Sequence, residues 1–246
     1  MTIMEHFNEL LEKTKSQAMS DSPQDLKVPQ PPLELPIQPD AALIPLPAPG
    51  SLHIAEIDLR TAIEKRRSLR RYQQKALTLE ELSYLLWLTQ GVKEVTTRPV
   101  TLRTVPSAGA RHAFETFLLV NNVEGLEPGL YRFAASQHAL LRLDAPDTIR
   151  DDVTEACYSQ AQVATSAVTF IWVAVTERMT WRYVERGFRY LLLDAGHVCQ
   201  NLYLAAEAVG CGVCAIDAYD DDRLNQVLDL DGQNLFAIYL GTVGKR

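Results

Sequence analysis

Apolar residues recur at helical spacing in several segments of the chain. The clearest follows Thr78, which with Glu81 has the spacing of a capping box, where each side chain binds the other residue's backbone amide. Leucines at 79, 82, 85, 86 and 88 follow, and Gly91 is a stop signal. This pattern predicts a helix over 79–90. Related patterns predict helices over 3–19, 58–66, 181–209 and 221–228.

Compact apolar runs between these helices predict strands. They cover 114–120, 129–134, 139–143, 168–175, 211–216 and 235–240. Helices and strands do not alternate strictly, and no segment repeats at a fixed period. This order predicts an α+β fold, with a central sheet flanked by helices.

Proline is concentrated near the start of the chain. Nine of the 13 prolines lie between Pro23 and Pro49, and each removes a backbone amide donor and disfavours helix at the residue before it. Leucines and isoleucines stand between these prolines, unlike the composition of a solvated linker. We expect an N-terminal helix and extended arm over 1–50, lying on the chain's own surface or a partner's, and one domain over 51–246. A flexible proline-rich linker is the alternative.

Charge and cysteine content narrow the class of protein. The 24 basic and 31 acidic residues give a net charge of −7, which argues against nucleic acid as the main partner. Four cysteines in 246 residues are too few for a disulfide scaffold, and the first residues lack the basic and apolar regions of a signal peptide. The longest apolar run, 167–175 with only Thr169 interrupting, is far shorter than the roughly 20 residues of a membrane-spanning helix. We therefore expect a cytoplasmic protein.

Four short motifs could carry chemistry. The segment 66–71 gathers four arginines around Ser68, which suits a phosphate, although cations also favour a helix C-terminus. Small residues at 106–110 could admit a flat ring or an anion close to the backbone, or form an ordinary turn. The Cys-x-x-Cys at 211–214 leads into a strand without a second pair, so we interpret it as packing. The basic pair at 245–246 is either a solvated end or a second phosphate clamp.

Five segments, in this order, resemble the flavin-dependent nitroreductase superfamily and, within it, the SagB-type or McbC-like dehydrogenases. They are 66–72, 106–112, 125–131, 194–202 and 240–245. Each is weak alone, but together they cover nearly all of 57–246 in the family's order. The resemblance implies a mixed or antiparallel sheet and FMN bound at the interface of an intertwined homodimer, with a site built from both chains.

The resemblance also assigns roles to residues of this chain. The FMN phosphate and ribityl chain would be held by Arg66, Arg67, Ser68 and Arg70, completed by Lys245 and Arg246. The flavin would lie along Pro106, Ser107, Ala108, Gly109 and Ala110. Backbone amides near its reactive nitrogen would come from Ala215, Ile216, Asp217 and Ala218. A donor there stabilises negative charge on the reduced ring.

Three positions depart from the family pattern. Ala110 stands where many nitroreductases have a flavin-contacting asparagine, and the dipeptide 217–218 replaces the usual Glu-Gly. Azoline-oxidising relatives place a Lys-Tyr pair ahead of the long helix, where this chain has Arg182 and Tyr183. Arginine stays protonated and cannot act as a base, whereas Tyr183 could donate a proton. These two residues are the catalytic candidates.

Three hypotheses follow. The first is an FMN-dependent oxidoreductase working by ping-pong hydride transfer from NAD(P)H to a nitroaromatic, quinone or other conjugated small molecule. The second is a SagB-like dehydrogenase that oxidises thiazoline or oxazoline rings in a modified peptide, with dioxygen reoxidising FMN. The third is a flavin-binding or structural dimer without turnover. We expect no metal, nucleic-acid or membrane partner.

Overall fold

A computed structural model describes residues 2–246 of the chain. Its helices are α1 (Ile3–Lys13), α2 (Leu59–Lys65), α3 (Leu79–Gln90), α4 (Ile149–Ala156), α5 (Ala161–Thr165), α6 (Thr176–Tyr183), α7 (Gly187–Ala208) and α8 (Asp221–Val227). Its strands are β1 (Leu43–Pro45), β2 (Val92–Val95), β3 (Thr101–Arg103), β4 (Phe114–Val120), β5 (Gly129–Ala134), β6 (Ala139–Arg142), β7 (Val168–Val175), β8 (Cys211–Ile216) and β9 (Leu235–Lys245). None of these helices combines the length and the apolar composition needed to cross a membrane.

Seven strands form one antiparallel sheet in the order β1-β6-β5-β4-β7-β9-β8. The remaining two, β2 and β3, pair in a separate hairpin. The prediction of an α+β fold with a central sheet flanked by helices is confirmed, and the sheet is antiparallel rather than mixed. β8 lies at one edge, so its outer side is open to segments outside the sheet.

Helices cover both faces of this sheet. α3 and α7 pack on one face, against Phe170 and Trp172 of β7. α4, α5 and α8 pack on the other face, against Ile171 and Val173. Because alternate residues of β7 enter opposite cores, every residue of the strand is buried, which accounts for a run that is apolar except at Thr169.

Most predicted bounds agree with the structure, and one prediction is wrong. The segment 181–209 is not a single helix, because α6 ends at Tyr183 and α7 begins at Gly187. Val184 between them has a φ of 42°, a left-handed conformation that interrupts helical hydrogen bonding and that β-branched residues rarely adopt. In addition, α1 ends at Lys13 rather than at residue 19, and β9 continues beyond residue 240 to Lys245.

The proline-rich arm lies on the body of its own chain. The indole of Trp181 donates to the carbonyl of Val28 at 2.9 Å, and the guanidinium of Arg178 donates to the carbonyl of Pro32 at 2.8 Å. Further along, β1 adds an edge strand beside β6. The arm therefore touches both α6 and the edge of the sheet. The division into 1–50 and 51–246 stays a prediction.

Candidate active site

The arginine-rich segment after α2 is fastened to the open edge of β8. The amide of Leu69 donates to the carbonyl of Val213 at 2.8 Å, and Ser68 forms a bridge to the same residue. The guanidinium carbon of Arg66 lies 5.2 Å from the ring centroid of Tyr203, on α7. Within residues 2–246, none of the four arginines at 66, 67, 70 and 71 has a carboxylate within 4.0 Å. Their charge is therefore available to an anion.

The hydroxyl of Tyr203 links this segment to the loop after β8. It lies 3.0 Å from the hydroxyl of Ser68 and accepts a hydrogen bond from the amide of Ala215 at 2.9 Å. Beyond Ile216, which is buried and paired with β9, Asp217 and Ala218 are exposed. Their amides donate to no group within the described residues. The structure thus brings 66–70 and 215–218 together around one buried tyrosine, which we call the Tyr203 group.

The two basic residues at the end of β9 are already ion-paired. The ammonium of Lys245 pairs with Glu81, the capping-box residue of α3, and donates to the carbonyl of Val209 at 3.0 Å. The guanidinium of Arg246 pairs with Glu207 of α7. To bind a phosphate as predicted, Lys245 and Arg246 would have to share these carboxylate contacts with the phosphate or give them up. This assignment therefore stays a prediction.

The loop at 106–112 has an irregular backbone. Gly109 and Ala110 have φ values of 57° and 55°, and His112 has 43°. For residues other than glycine this left-handed conformation is uncommon and marks strain that the surroundings hold in place. The amide of His112 donates to the hydroxyl of Ser107 at 2.9 Å, and the amide of Ala108 donates to a carboxylate oxygen of Asp194 at 3.3 Å.

The catalytic candidates border this loop. A Cβ atom added to Gly109 would lie 2.4 Å from the hydroxyl of Tyr183 and 3.2 Å from Cδ and Nε of Arg182. Only a glycine permits so close an approach. The ring of Tyr183 in turn packs edge to face on Tyr190, with 4.6 Å between the ring centroids. The structure therefore brings 106–110 together with the catalytic candidates, and we call this set the Tyr183 group.

Asp194 connects the Tyr183 group to α7. Its side chain is buried, and one carboxylate oxygen has no hydrogen-bond partner within the described residues. Burial raises the pKa of Asp194, because the charged form loses hydration. In the same region, burial and then the charges of Arg103 and Arg111 lower the pKa of His112 to about 3, so this imidazole is neutral near neutral pH.

Tyr203 and Asp194, which contacts the Tyr183 group through Ala108, lie apart on α7. Asp194 and Tyr203 are nine residues apart, which corresponds to about 13 Å along the helix and roughly half a turn around it. They therefore project from opposite sides of the helix. Neither Tyr203 nor the contact of Asp194 with Ala108 is predicted from sequence, although Asp194 lies within one of the family-like segments.

The cysteines have no part in this chemistry. All four are buried, and Cys211 and Cys214 lie within β8. Burial raises the pKa of Cys211 to about 12, so its thiol stays protonated and is a poor nucleophile. The interpretation of these residues as packing residues agrees with the structure.

Comparisons with known proteins identify relatives of this chain. The sequence model described as "Nitroreductase family" matches residues 63–245. A nitroreductase-like protein of Methanocaldococcus jannaschii is 35% identical over 188 residues, which make up 76% of this chain and 92% of that protein. The trifolitoxin-processing protein TfxB of Rhizobium leguminosarum bv. trifolii is 29% identical over 154 residues, 61% of this chain and 41% of TfxB. The chain thus spans less than half of TfxB.

A solved structure extends the likeness to the whole chain. It is the microcin synthetase complex McbBCD of Escherichia coli with truncated pro-MccB17 bound, matched with a TM-score of 0.61 and 18% identity over 100% of this chain and 98% of the matched chain. At that identity the likeness shows a common fold. The family match, by contrast, spans most of the chain and includes the Tyr203 and Tyr183 groups. The chain therefore belongs to the nitroreductase family and is an oxidoreductase of that family, with nitroreductase-like processing proteins among its relatives.

Proposed function

We propose that the chain is an FMN-dependent oxidoreductase that transfers a hydride from NAD(P)H to a nitroaromatic, quinone or other conjugated small molecule. The observation that carries this proposal is the Tyr203 group. It combines three arginines, at 66, 67 and 70, that have no acidic partner within the described residues with two exposed amides that donate to no group there. Guanidinium groups bind phosphate bidentately, and exposed amides stabilise developing negative charge.

The residues present fit FMN. Arg66, Arg67, Ser68 and Arg70 would hold its phosphate and ribityl chain, and the loop at 215–218 would present amides to its ring. FMN, when bound, supplies the group that accepts a hydride from one substrate and delivers it to another. The small side chains at 106–110 would admit the flat ring, and the phenol of Tyr183 would hold the proton that the second substrate takes up.

A homodimer would complete this site. Tyr203 and Asp194, through which α7 contacts the Tyr203 and Tyr183 groups, project from opposite sides of that helix, so one chain would supply only one group to each site. In its first two turns, α7 exposes three large apolar side chains: Phe188, Leu192 and Leu193 are 42%, 52% and 58% exposed. Large apolar side chains grouped on one exposed helix face favour association. We propose that a second copy covers this face, so that each site receives one group from each chain.

An anaerobic flavin assay tests this function. The protein is purified, its visible spectrum is recorded, and NADPH or NADH is added without oxygen. A yellow protein that is bleached by either donor and regains its colour when a nitroaromatic or quinone is added is the expected result. A colourless protein that takes up no added FMN would remove the proposal, and a yellow protein that neither donor bleaches would remove the NAD(P)H step.

The similarity to TfxB favours a second candidate function. TfxB is described as a trifolitoxin-processing protein, and Tyr183 lies against Gly109 in the loop that would border the flavin. In this reading the enzyme removes two hydrogens from a thiazoline or oxazoline ring of a modified peptide, and dioxygen takes up the electrons. Arg182 counts against it, because an arginine cannot remove the substrate proton. Fast bleaching by an azoline peptide with slow bleaching by NAD(P)H would favour this candidate over the first.

A further inference from the structure

Two arginines lie beside Gly109, outside the predicted phosphate site. Nε of Arg111 donates to the carbonyl of Gly109 at 3.3 Å. Cδ and Nε of Arg182 approach the same residue, 3.2 Å from where a Cβ would stand. The two guanidinium groups therefore border the same point of the loop as the hydroxyl of Tyr183.

Aromatic rings hold both guanidinium groups in place. The guanidinium carbon of Arg111 lies 5.2 Å from the ring centroid of Trp181, and that of Arg182 lies 5.6 Å from the ring centroid of Tyr183. Trp181 is itself anchored, because its indole donates to the arm at Val28. Stacking occupies the face of a guanidinium and leaves its N–H edges available for ligands.

Most of the N–H donors of these two guanidinium groups form no hydrogen bond within the described residues. A guanidinium has five, and within residues 2–246 Arg111 uses only Nε, while the guanidinium of Arg182 donates to no group. No carboxylate in that part of the chain lies within 4.0 Å of either arginine. Asp25 faces Arg182 at longer range, but its carboxylate is engaged by the amide and hydroxyl of Ser22 at 3.0 and 2.6 Å.

The electrostatics favour an incoming anion. Arg111 is only 5% exposed, and a buried cation without a partner destabilises its surroundings. Burial, followed by the charges of Arg182 and Arg98, lowers the pKa of Arg111. A negative charge placed between Arg111 and Arg182 would offset the cost of burying the Arg111 cation and the repulsion between the two guanidinium groups.

We propose that Arg111 and Arg182 bind an anionic group, a carboxylate or a phosphate, on the substrate that reacts beside the loop at 106–110. This inference rests on the proposed function and adds a substrate class to it. Arg182 then binds the substrate rather than acting as a base. This role accounts for an arginine at this position, because a base would have to lose its proton and an arginine stays protonated. The anionic group has two sources in this chemistry: a carboxylate of the acceptor or the extra phosphate of NADPH.

Matched ligand pairs test the proposal by titration calorimetry on the purified protein. 4-Nitrobenzoate is compared with neutral 4-nitrobenzamide, and NADP⁺ with NAD⁺, in the unaltered chain, Arg182→Gln, Arg111→Gln and the control Arg60→Gln. Arg60 is exposed, paired with Glu64 and distant in sequence from the loop. We expect one charged ligand to bind at least tenfold more tightly than its neutral partner, with the ratio falling towards one in Arg182→Gln and Arg111→Gln and unchanged in Arg60→Gln.

The ligand pair that responds identifies the source of the anion. A response of 4-nitrobenzoate alone indicates an acceptor carboxylate, and a response of NADP⁺ alone indicates the phosphate of the donor. The proposal is overturned if the ratio of charged-ligand to neutral-ligand affinity in Arg182→Gln is within twofold of the ratio in the unaltered chain. It is also overturned if neither charged ligand binds measurably. If Arg111→Gln does not fold, Arg182→Gln decides alone, since Arg182 is only half-buried. Binding is measured without turnover, so failure of the flavin assay is a separate outcome.

Discussion

At the scale of single residues, Tyr203 organises the predicted phosphate site. One hydroxyl contacts the arginine-rich segment and the loop after β8, and the ring lies under Arg66. The position of the arginines therefore depends on α7 as well as on their own segment. This arrangement holds Arg66, which is half-buried, in place without an acidic partner.

We predict that Arg66→Ala and Arg70→Ala each weaken FMN retention. A hydrogen bond to a charged group contributes about 1.5–3 kcal/mol, which corresponds to a loss of affinity of roughly tenfold or more. Fluorescence titration of the flavin-free protein with FMN measures this. Arg60→Ala, which removes a cation of α2 that is paired with Glu64, is the matched control and should leave the affinity unchanged. Equal affinity in all three variants would contradict the phosphate assignment.

Asp194 gives a prediction about pH. Burial raises its pKa, so the folded chain holds this proton more tightly than the unfolded chain does. The free energy of unfolding should therefore fall as pH rises from the ordinary carboxyl pKa of 3.8 through the raised value. Asp194→Asn keeps an acceptor for the Ala108 amide but cannot ionise, so this fall should be absent from its profile.

Urea unfolding at pH 4, 5.5 and 7 measures the effect as the difference between Asp194→Asn and the unaltered chain. The variant should gain relative stability as pH rises. Asp194→Ala, which removes the acceptor as well, should be less stable by about 1 kcal/mol at pH 4. A constant difference for Asp194→Asn across the three pH values would show that the carboxyl does not titrate abnormally.

The sequence predicts some residues of the site and not others for a physical reason. The arginines at 66–70 and the small residues at 106–110 form local runs whose chemistry is visible from composition. Tyr203, Trp181 and the contact of Asp194 with Ala108 depend on pairs of segments far apart in the chain. Such contacts arise only when α6 and α7 pack against the sheet, so no local sequence pattern predicts them.

At the scale of elements, the loop between β3 and β4 and the end of α6 act as one unit. We predict that Gly109→Ala lowers the rate of acceptor reduction at least tenfold, because the new methyl group would lie 2.4 Å from the hydroxyl of Tyr183 and displace it. The positive φ of 57° should also lower the free energy of unfolding by about 1 kcal/mol.

Gly125→Ala is the matched control for this loop. Gly125 also has a positive φ, of 80°, but a Cβ there would meet no atom within 4 Å. Gly125→Ala should lose about 1 kcal/mol from the positive φ alone, whereas Gly109→Ala should lose more, because of the clash, and should also lose activity. The double variant Gly109→Ala with Tyr183→Phe should recover part of the stability lost in Gly109→Ala, since the clashing hydroxyl is gone. Equal rates in Gly109→Ala and Gly125→Ala would separate Tyr183 from the reaction.

Element bounds were predictable where the pattern is strong and local. α3 has a capping box at one end and a glycine at the other, and β7 has a run that is apolar except at Thr169. The break between α6 and α7 was not predictable, because the apolar spacing continues past Val184 while the backbone there turns left-handed. The sequence does not predict the hairpin of β2 and β3, because its residues are mostly polar or exposed and form no apolar run.

At the scale of the whole molecule, the arm covers a buried ion pair. Glu115 and Arg178 are 3% and 2% exposed and lie 2.6 Å apart. The carboxylate also accepts from the amide of Leu35 at 2.8 Å, and the guanidinium donates to the carbonyl of Pro32. Buried charges are stable only when such additional hydrogen bonds complete them. The arm therefore supplies two of the hydrogen bonds that stabilise this buried ion pair.

Two truncations test this role of the arm. Removing residues 2–50 takes away both hydrogen bonds to the ion pair, the edge strand β1 and the anchor of Trp181, and should lower the free energy of unfolding by roughly 3 kcal/mol or more. Removing residues 2–13 takes away α1, which has no buried residue, and the hydrogen bond from Arg189 to the carbonyl of Leu11, and should cost about 1 kcal/mol. Urea unfolding followed by circular dichroism measures both, with FMN content and mass from light scattering recorded alongside. If the 2–50 truncation is as stable as the 2–13 truncation and keeps the same flavin content and mass, the arm is a linker after all, because a segment that completes buried charges cannot be removed without a loss of stability.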